Sequence, residues 1–167
     1  MASGNPNTDA LLLGEDERGI YIAARGHIRA NLCYPLREAV MLRLEEPGAA
    51  TDVLVDLSSC RYMDSTFIGL LVAFEKVLRR AARGHVHVLR PSAECLDILR
   101  QLRLESVLLV EDRPPDPPAL LEEISAAEKP GAEFILTVHE ALMEASEEAR
   151  KRFGLLKEML ERKIRGD

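Results

Sequence analysis

Apolar residues along the first 110 positions follow two spacings that alternate along the chain. Five short apolar runs have the length and composition of strands. They lie at residues 10–13, 20–25, 53–57, 85–89 and 107–110. The segments after the second run, which separate the later runs, have apolar residues every three or four positions. This spacing is typical of the buried face of a helix. This spacing predicts three helices, the first around Pro35, the second starting at Ser65 and the third over 92–103.

The predicted order of elements is β-β-α-β-α-β-α-β. The first two strands flank a turn-like segment from Gly14 to Gly19, which indicates an antiparallel hairpin. Strands that are joined by helices are usually parallel neighbours in a sheet. We therefore expect an α/β domain over residues 1–110, with helices packed on a mixed sheet. The segment from Ser58 to Asp64 is expected to be a loop that leads into the second helix.

A proline-rich segment follows this domain. Four prolines stand within residues 114–118, where they cannot extend a helix and give no backbone N–H to a sheet. The segment should be extended and stiff. We assign it as a linker at 111–118, which separates the α/β domain from a helical extension at 119–167.

The extension carries one apolar stripe at helical spacing. It predicts a long amphipathic helix of about seven turns, preceded by a short helical turn at 120–124. A helix of this length must bury its stripe, either on its own domain or on another chain. We expect a second copy of the chain to cover it, which would make the protein a homo-oligomer. The stripe consists of Val138, Leu142, Ala145, Ala149, Phe153, Leu156, Leu160 and Ile164.

Composition excludes several classes of function. Hydrophobic residues make up 47% and charged residues 30% of the chain, which suits a protein with a core rather than a disordered one. The net charge of −6 argues against a nucleic-acid partner. No apolar run reaches the roughly 20 residues of a membrane span, and the N-terminus lacks the apolar segment of a secretion signal. With three widely spaced cysteines as well, we expect a cytoplasmic protein.

Catalytic motifs are absent from the sequence. It contains no glycine-rich phosphate loop, no dinucleotide fingerprint and no GxSxG motif. His85 and His87 share one face of a strand, but no Cys, Asp or Glu lies at a local spacing that would complete a metal site. The cysteines at 33, 60 and 95 have no adjacent His or Lys and are interpreted as small core or loop residues. We therefore predict a non-enzymatic binding module without metal or cofactor.

The most informative segment runs from Val53 to Leu71 and reads VLVDLSSCRYMDSTFIGLL. An apolar strand ends in Asp56-Leu57, a short loop follows, and Asp64-Ser65 opens a helix. Together with the order of elements, this segment resembles the STAS family, the anti-sigma factor antagonists, over about residues 9–110. The resemblance implies the STAS fold and a non-enzymatic role in signal transduction and transcription regulation.

The resemblance also implies a modification site and a partner. Ser65 would be phosphorylated by a serine kinase that is itself an anti-sigma factor, and Thr66 is the rival hydroxyl. Many antagonists have a Gly-Leu-Gly run after the serine, whereas Phe67-Ile68-Gly69 here is similar to members that occur in scaffolding assemblies. The surface for the partner is expected to comprise Asp56, Asp64, Ser65, Thr66 and Phe67.

The properties of a helix N-terminus also support a switch at Ser65. Asp64 or Ser65 stands where an N-cap belongs, near free N–H groups and the positive end of the helix dipole. A phosphate there would gain hydrogen bonds and add nearly two negative charges beside Asp64 and near Asp56. Three interpretations stay open: a phosphorylation switch at Ser65, an assembly protein in which Ser65 only caps the helix, and a small-molecule-binding domain.

Overall fold

The computed structural model describes residues 8–46, 52–127 and 130–166, so most of the N-terminal segment considered above lies outside the described residues. Within these ranges six strands form one mixed sheet. They are β1 (Ala10–Asp16), β2 (Gly19–Ile28), β3 (Val53–Met63), β4 (Val86–Leu89), β5 (Leu109–Glu111) and β6 (Glu122–Glu123). Their order across the sheet is β5-β4-β3-β2-β1-β6. β1 and β2 form the predicted hairpin, β2 to β5 run parallel, and β6 pairs antiparallel with β1.

The described residues also form five helices, and one face of the sheet packs against helical residues. Alternate strand residues such as Leu11 and Leu13 point into this core, where they meet side chains of the first four helices. The helices are α1 (Ala30–Glu45), α2 (Ser65–Arg80), α3 (Ala93–Gln101), α4 (Ala132–Ala145) and α5 (Glu147–Arg165). The predicted α/β fold with a mixed sheet and a C-terminal helical part is therefore confirmed. Within the described ranges, no helix has both the length and the apolar character that crossing a bilayer requires.

β3 is longer than its apolar run predicts. Residues 58–63, which we expected to form a loop, continue the strand to Met63. The long strand β2 pairs with this part as well, and Ile28 lies opposite Met63 at its end. Register shifts interrupt the pairing between Ala23 and Arg25 and again two residues later, as β-bulges do. Strand β3 thus carries the chain almost directly to the start of α2.

The proline-rich segment crosses the other face of the sheet. β5 and β6 lie at opposite edges, and the chain passes from one to the other through residues 112–121. Gly14 leaves room for the crossing, because a Cβ at this position would lie 2.6 Å from the backbone oxygen of Leu120. Leu121 packs on a small apolar cluster of this face, which consists of Leu12, Tyr21, Ala23, Leu54 and Leu89. The segment that we assigned as a linker therefore covers part of the sheet; the domain boundaries at 110 and 118 stay predictions.

The C-terminal part consists of two helices rather than the single long helix that the stripe predicts. Ser146 separates α4 from α5 and has extended backbone angles (φ −148°, ψ 128°). Its hydroxyl accepts a hydrogen bond from the N–H of Ala149 and donates one to the carbonyl of Leu102. The serine therefore ends α4 and caps α5. Residues 122–123, expected within a helical turn, form β6 because they pair with β1.

The stripe residues predicted as oligomer contacts are mostly covered by the chain itself. Val138 and Leu142 are buried in the core that α2 shares, and Ala145 and Phe153 pack against that core. Leu160, on α5, is only 9% exposed. The α4 part of the stripe is therefore buried on the chain's own domain, which leaves little of that face for a partner. That the chain forms a homo-oligomer stays a prediction.

Candidate functional site

Asp64 caps α2. Its backbone is extended (φ −79°, ψ 170°), and its Oδ1 accepts a hydrogen bond of 2.9 Å from the N–H of Phe67. Its own N–H donates to the carbonyl of Ile28 at the end of β2. The cap therefore ties the start of α2 to the sheet and places Ser65 at the first helical position.

The Asp64 carboxylate lies between two helix starts. The backbone N–H groups of Ala30, the first residue of α1, and of Thr66 lie near it. Burial raises the pKa of Asp64, while the N–H groups of Phe67, Ala30 and Thr66 oppose the rise. Asp64 thus caps α2 beside Ser65 and lies close to the start of α1.

The hydroxyl of Ser65 contacts a histidine of α4. Its Oγ lies 2.7 Å from Nε2 of His139, and Nδ1 of the same ring lies 2.7 Å from the carbonyl oxygen of Ile135. Because the carbonyl can only accept, Nδ1 carries the proton and Nε2 is an acceptor. The half-buried hydroxyl of Ser65 therefore donates to His139.

His139 is enclosed by the protein. It is 1% exposed, and the Phe153 ring of α5 lies edge-on to it with ring centroids 5.5 Å apart. Burial lowers the pKa of His139, opposed by its hydrogen bond with Ile135 and by the nearby Asp64. We did not identify His139 as a site residue from the sequence. The available signal was the nearly continuous apolar start of α2. A helix that is apolar on all sides needs a neighbour on its outer side as well, and every residue from 66 to 72 is indeed buried.

Two of the predicted partner-binding residues face the interior. Phe67 is fully buried in the main core and Thr66 is 5% exposed. Neither side chain is accessible to a partner in this conformation. The burial of Thr66 also leaves Ser65 as the more exposed of the two neighbouring hydroxyls.

The structure does not bring Asp56 to Ser65. Asp56 accepts hydrogen bonds from the Tyr21 hydroxyl at 3.1 Å and from the backbone and side chain of Ser58. It lies two residues after Leu54, and both therefore face the side of the sheet that the proline-rich segment crosses. Burial and the Asp56 carboxylate raise the pKa of Tyr21. The predicted partner surface thus divides between opposite faces of the sheet.

His87 lies on β4 and His85 directly before this strand, and their Nδ1 atoms have separate carboxylate partners. Nδ1 of His85 lies 2.9 Å from Oε1 of Glu75 on α2, and Nδ1 of His87 lies 2.9 Å from Oε1 of Glu111 on β5. Over the described ranges, no group of three or more His, Cys, Asp or Glu residues is arranged to hold a metal ion. The cysteines are fully buried, and burial raises the pKa of Cys33.

The stability of the protein should fall in acid because of His139. The pKa of His139 is lower in the folded chain than the ordinary value of 6.5. As the pH falls below 6.5, the unfolded chain therefore binds a proton at this residue before the folded chain does, and the folding equilibrium shifts toward the unfolded state. We expect the free energy of unfolding to fall more steeply between about pH 7.5 and 5.5 for the wild type than for His139→Gln, which cannot take up this proton. Urea denaturation at several pH values measures both slopes, and equal slopes would contradict the buried neutral histidine.

Comparisons with known proteins agree on one fold. A family model described as "Mlab, STAS domain" matches residues 12–111. The structure of the anti-sigma factor antagonist SpoIIAA in its unphosphorylated form has a TM-score of 0.54 and 19% identity, over 62% of this chain and 90% of that one. The NMR structure of the protein TM1081 has a TM-score of 0.51 and 14% identity, over 60% of this chain and 78% of that one. No curated protein matches the sequence significantly.

Proposed function

Because the chain belongs to the STAS family, whose model matches residues 12–111, we propose that it is a cytoplasmic, non-enzymatic regulatory module switched by phosphorylation of Ser65. The observation that carries the proposal is the position of Ser65, the first residue of α2, directly after the Asp64 cap. Support by analogy comes from SpoIIAA, an anti-sigma factor antagonist described in its unphosphorylated form.

The proposed partner is an anti-sigma factor with serine kinase activity. A phosphate on Ser65 would add nearly two negative charges at the N-terminus of α2, beside the Asp64 carboxylate. The helix dipole favours negative charge at this end of α2. The same charge changes how the surface interacts with a partner, and rim charges act on partner choice more than on stability.

Ser65→Asp should weaken binding of that partner about tenfold, or roughly 1.4 kcal/mol, because it places a like charge beside Asp64 at the proposed interface. Ser65→Ala should bind like the wild type but accept no phosphate. The matched control is Ser59→Asp, which adds the same charge at an exposed position of β3. Immobilised chains are incubated with lysate, and quantitative mass spectrometry compares the proteins that each one retains.

Intact and peptide mass after incubation with candidate serine kinases gives the second measurement. Phosphate on Ser65 supports the proposal. Phosphate found only on Thr66 or Ser58, or equal retention by the wild type, Ser65→Asp and Ser65→Ala, would overturn it.

The second candidate function is that of an assembly protein that associates through its C-terminal helices. One observation favours it: Leu155 and Met159, four residues apart on α5, are 71% and 58% exposed. Of the stripe residues that first suggested this function, Val138 and Leu142 lie in the chain's own core. Two exposed side chains are a small apolar surface for a stable interface, so we favour the switch.

A further inference from the structure

Helix α4 contacts the outer side of α2 at three levels. Ser65 and His139 form the hydrogen bond at the start of α2. In the middle, Gly69 lies against the backbone of Val138. Farther along, the ammonium of Lys76 pairs with the carboxylate of Glu144 on α4. These contacts place α4 directly over the proposed phosphorylation site.

Gly69 shows that the fold depends on this close approach. A Cβ at this position would lie 2.5 Å from the carbonyl oxygen of Val138, which is backbone and cannot rotate away. Glycine inside a helix costs about 0.5–1 kcal/mol relative to alanine. The close packing with α4 is the contact that requires glycine here. Gly154 on α5 is the contrast, because a Cβ there would meet no atom within 4 Å.

Phosphorylation of Ser65 would remove the hydroxyl proton that Oγ donates to Nε2 of His139. Oγ and Nε2 are already at hydrogen-bond distance. The imidazole is also held from behind, by the carbonyl of Ile135 and the ring of Phe153. Phosphorylation therefore breaks the present contact between Ser65 and His139, which is one of the contacts that dock α4 on α2.

The part of the chain that would move lies beyond the region that matches the STAS family. The matched STAS region ends at residue 111, and 62% of this chain covers 90% of SpoIIAA. Helices α4 and α5 lie beyond residue 111, and α5 packs mainly on α4. The sheet order from β5 to β1 includes no residue of either helix. Strand pairing from β5 to β1 therefore does not depend on either helix, although α4 shares the core.

We propose that α4 and α5 form an autoinhibitory cover, so that docking of α4 on α2 and phosphorylation of Ser65 exclude each other. This inference rests on the proposed function, since it concerns the control of the same serine. In the docked state the hydroxyl is bonded to His139 and shielded. In the released state Ser65 and the α2 face around Gly69 and Val72 are open to a kinase or another partner, which must compete with α4 for that face.

Access to position 65 can be measured without a kinase. Ser65→Cys places a thiol at the site, and the native Cys33, Cys60 and Cys95 give a low background because each is 0% exposed. We expect iodoacetamide to modify this thiol slowly in the full chain and at least about tenfold faster when Gly69→Ala displaces α4. Gly154→Ala is the matched control and should leave the rate unchanged. Equal rates in all three backgrounds would overturn the proposal.

Hydrogen exchange of the Ser65→Glu chain tests the reverse direction and does not depend on the Gly69→Ala variant folding. The larger acidic side chain should expel His139, and amides of residues 134–145 should exchange at least about tenfold faster than in the wild type. The control Ser59→Glu should leave them unchanged. Unchanged or slower hydrogen exchange of these amides in Ser65→Glu would overturn the proposal that α4 and α5 form a cover. Neither arm uses a partner or kinase, so such a result would leave the proposed switch to be judged by the retention experiment.

Discussion

Phe67→Ala is expected to lower the free energy of unfolding by about 3–5 kcal/mol, because it removes most of a fully buried aromatic side chain from a close-packed core. Phe67 stands directly after Asp64, Ser65 and Thr66, yet it is 0% exposed and belongs to the core between helices and sheet. The same substitution at a partner-binding position on the surface would change stability by only about 0.5 kcal/mol. Denaturant unfolding followed by circular dichroism measures the difference.

Leu42→Ala provides the matched control for Phe67→Ala. Leu42 is a large apolar residue within a helix, α1, and is 66% exposed. We expect its substitution to change stability by no more than about 0.5 kcal/mol. If Phe67→Ala were equally mild and instead weakened partner binding, the assignment of Phe67 to the core would be wrong.

Leu142→Ala should lower the free energy of unfolding by about 2–5 kcal/mol, the range for truncating a buried leucine. Leu142 is 0% exposed on α4 and shares the core with α2. The substitution leaves a cavity between the two helices and so weakens the docking of α4. The result separates a helix that is part of the domain from one that extends away to meet another chain.

Leu155→Ala on α5 is the comparison for Leu142→Ala. Leu155 is 71% exposed, so its loss should change stability by no more than about 0.5 kcal/mol. Light scattering on both variants adds the mass of the particle. A Leu142→Ala chain of unchanged stability but altered mass would show that the stripe is covered by a second copy.

The elements of the α/β domain were largely predictable, because their signals are local. The apolar run at 53–57 and the helical spacing after Ser65 identified β3 and α2. The same local signals failed where pairing decided the structure. Residues 58–63 contain no continuous apolar run, and they form a strand because β2 extends beside them. Residues 122–123 form β6 for the same reason, since β1 offers them a free edge.

The sequence predicted the α2 part of the candidate site but not its α4 part. A cap at Asp64 or Ser65 follows from a short segment, because capping is an interaction over three residues, and the structure assigns it to Asp64. His139 lies 74 positions from Ser65, and no local pattern specifies that pairing. Phe67 was misplaced for a related reason: its neighbours suggested a surface, while the packing of α2 buries it.

The extension shows the same division. Its sequence determined that the apolar stripe has to be buried, because a lone helix does not offset the loss of backbone entropy in water. Only the tertiary structure decided where. Ser146 interrupts the helix, because its hydroxyl forms hydrogen bonds with the carbonyl of Leu102 and the N–H of Ala149. Gly69 allows the backbone of α4 to approach α2 closely. The spacing of apolar residues shows which face of a helix or strand is apolar. Which other element covers that face depends on how residues far apart in the chain fit together in space.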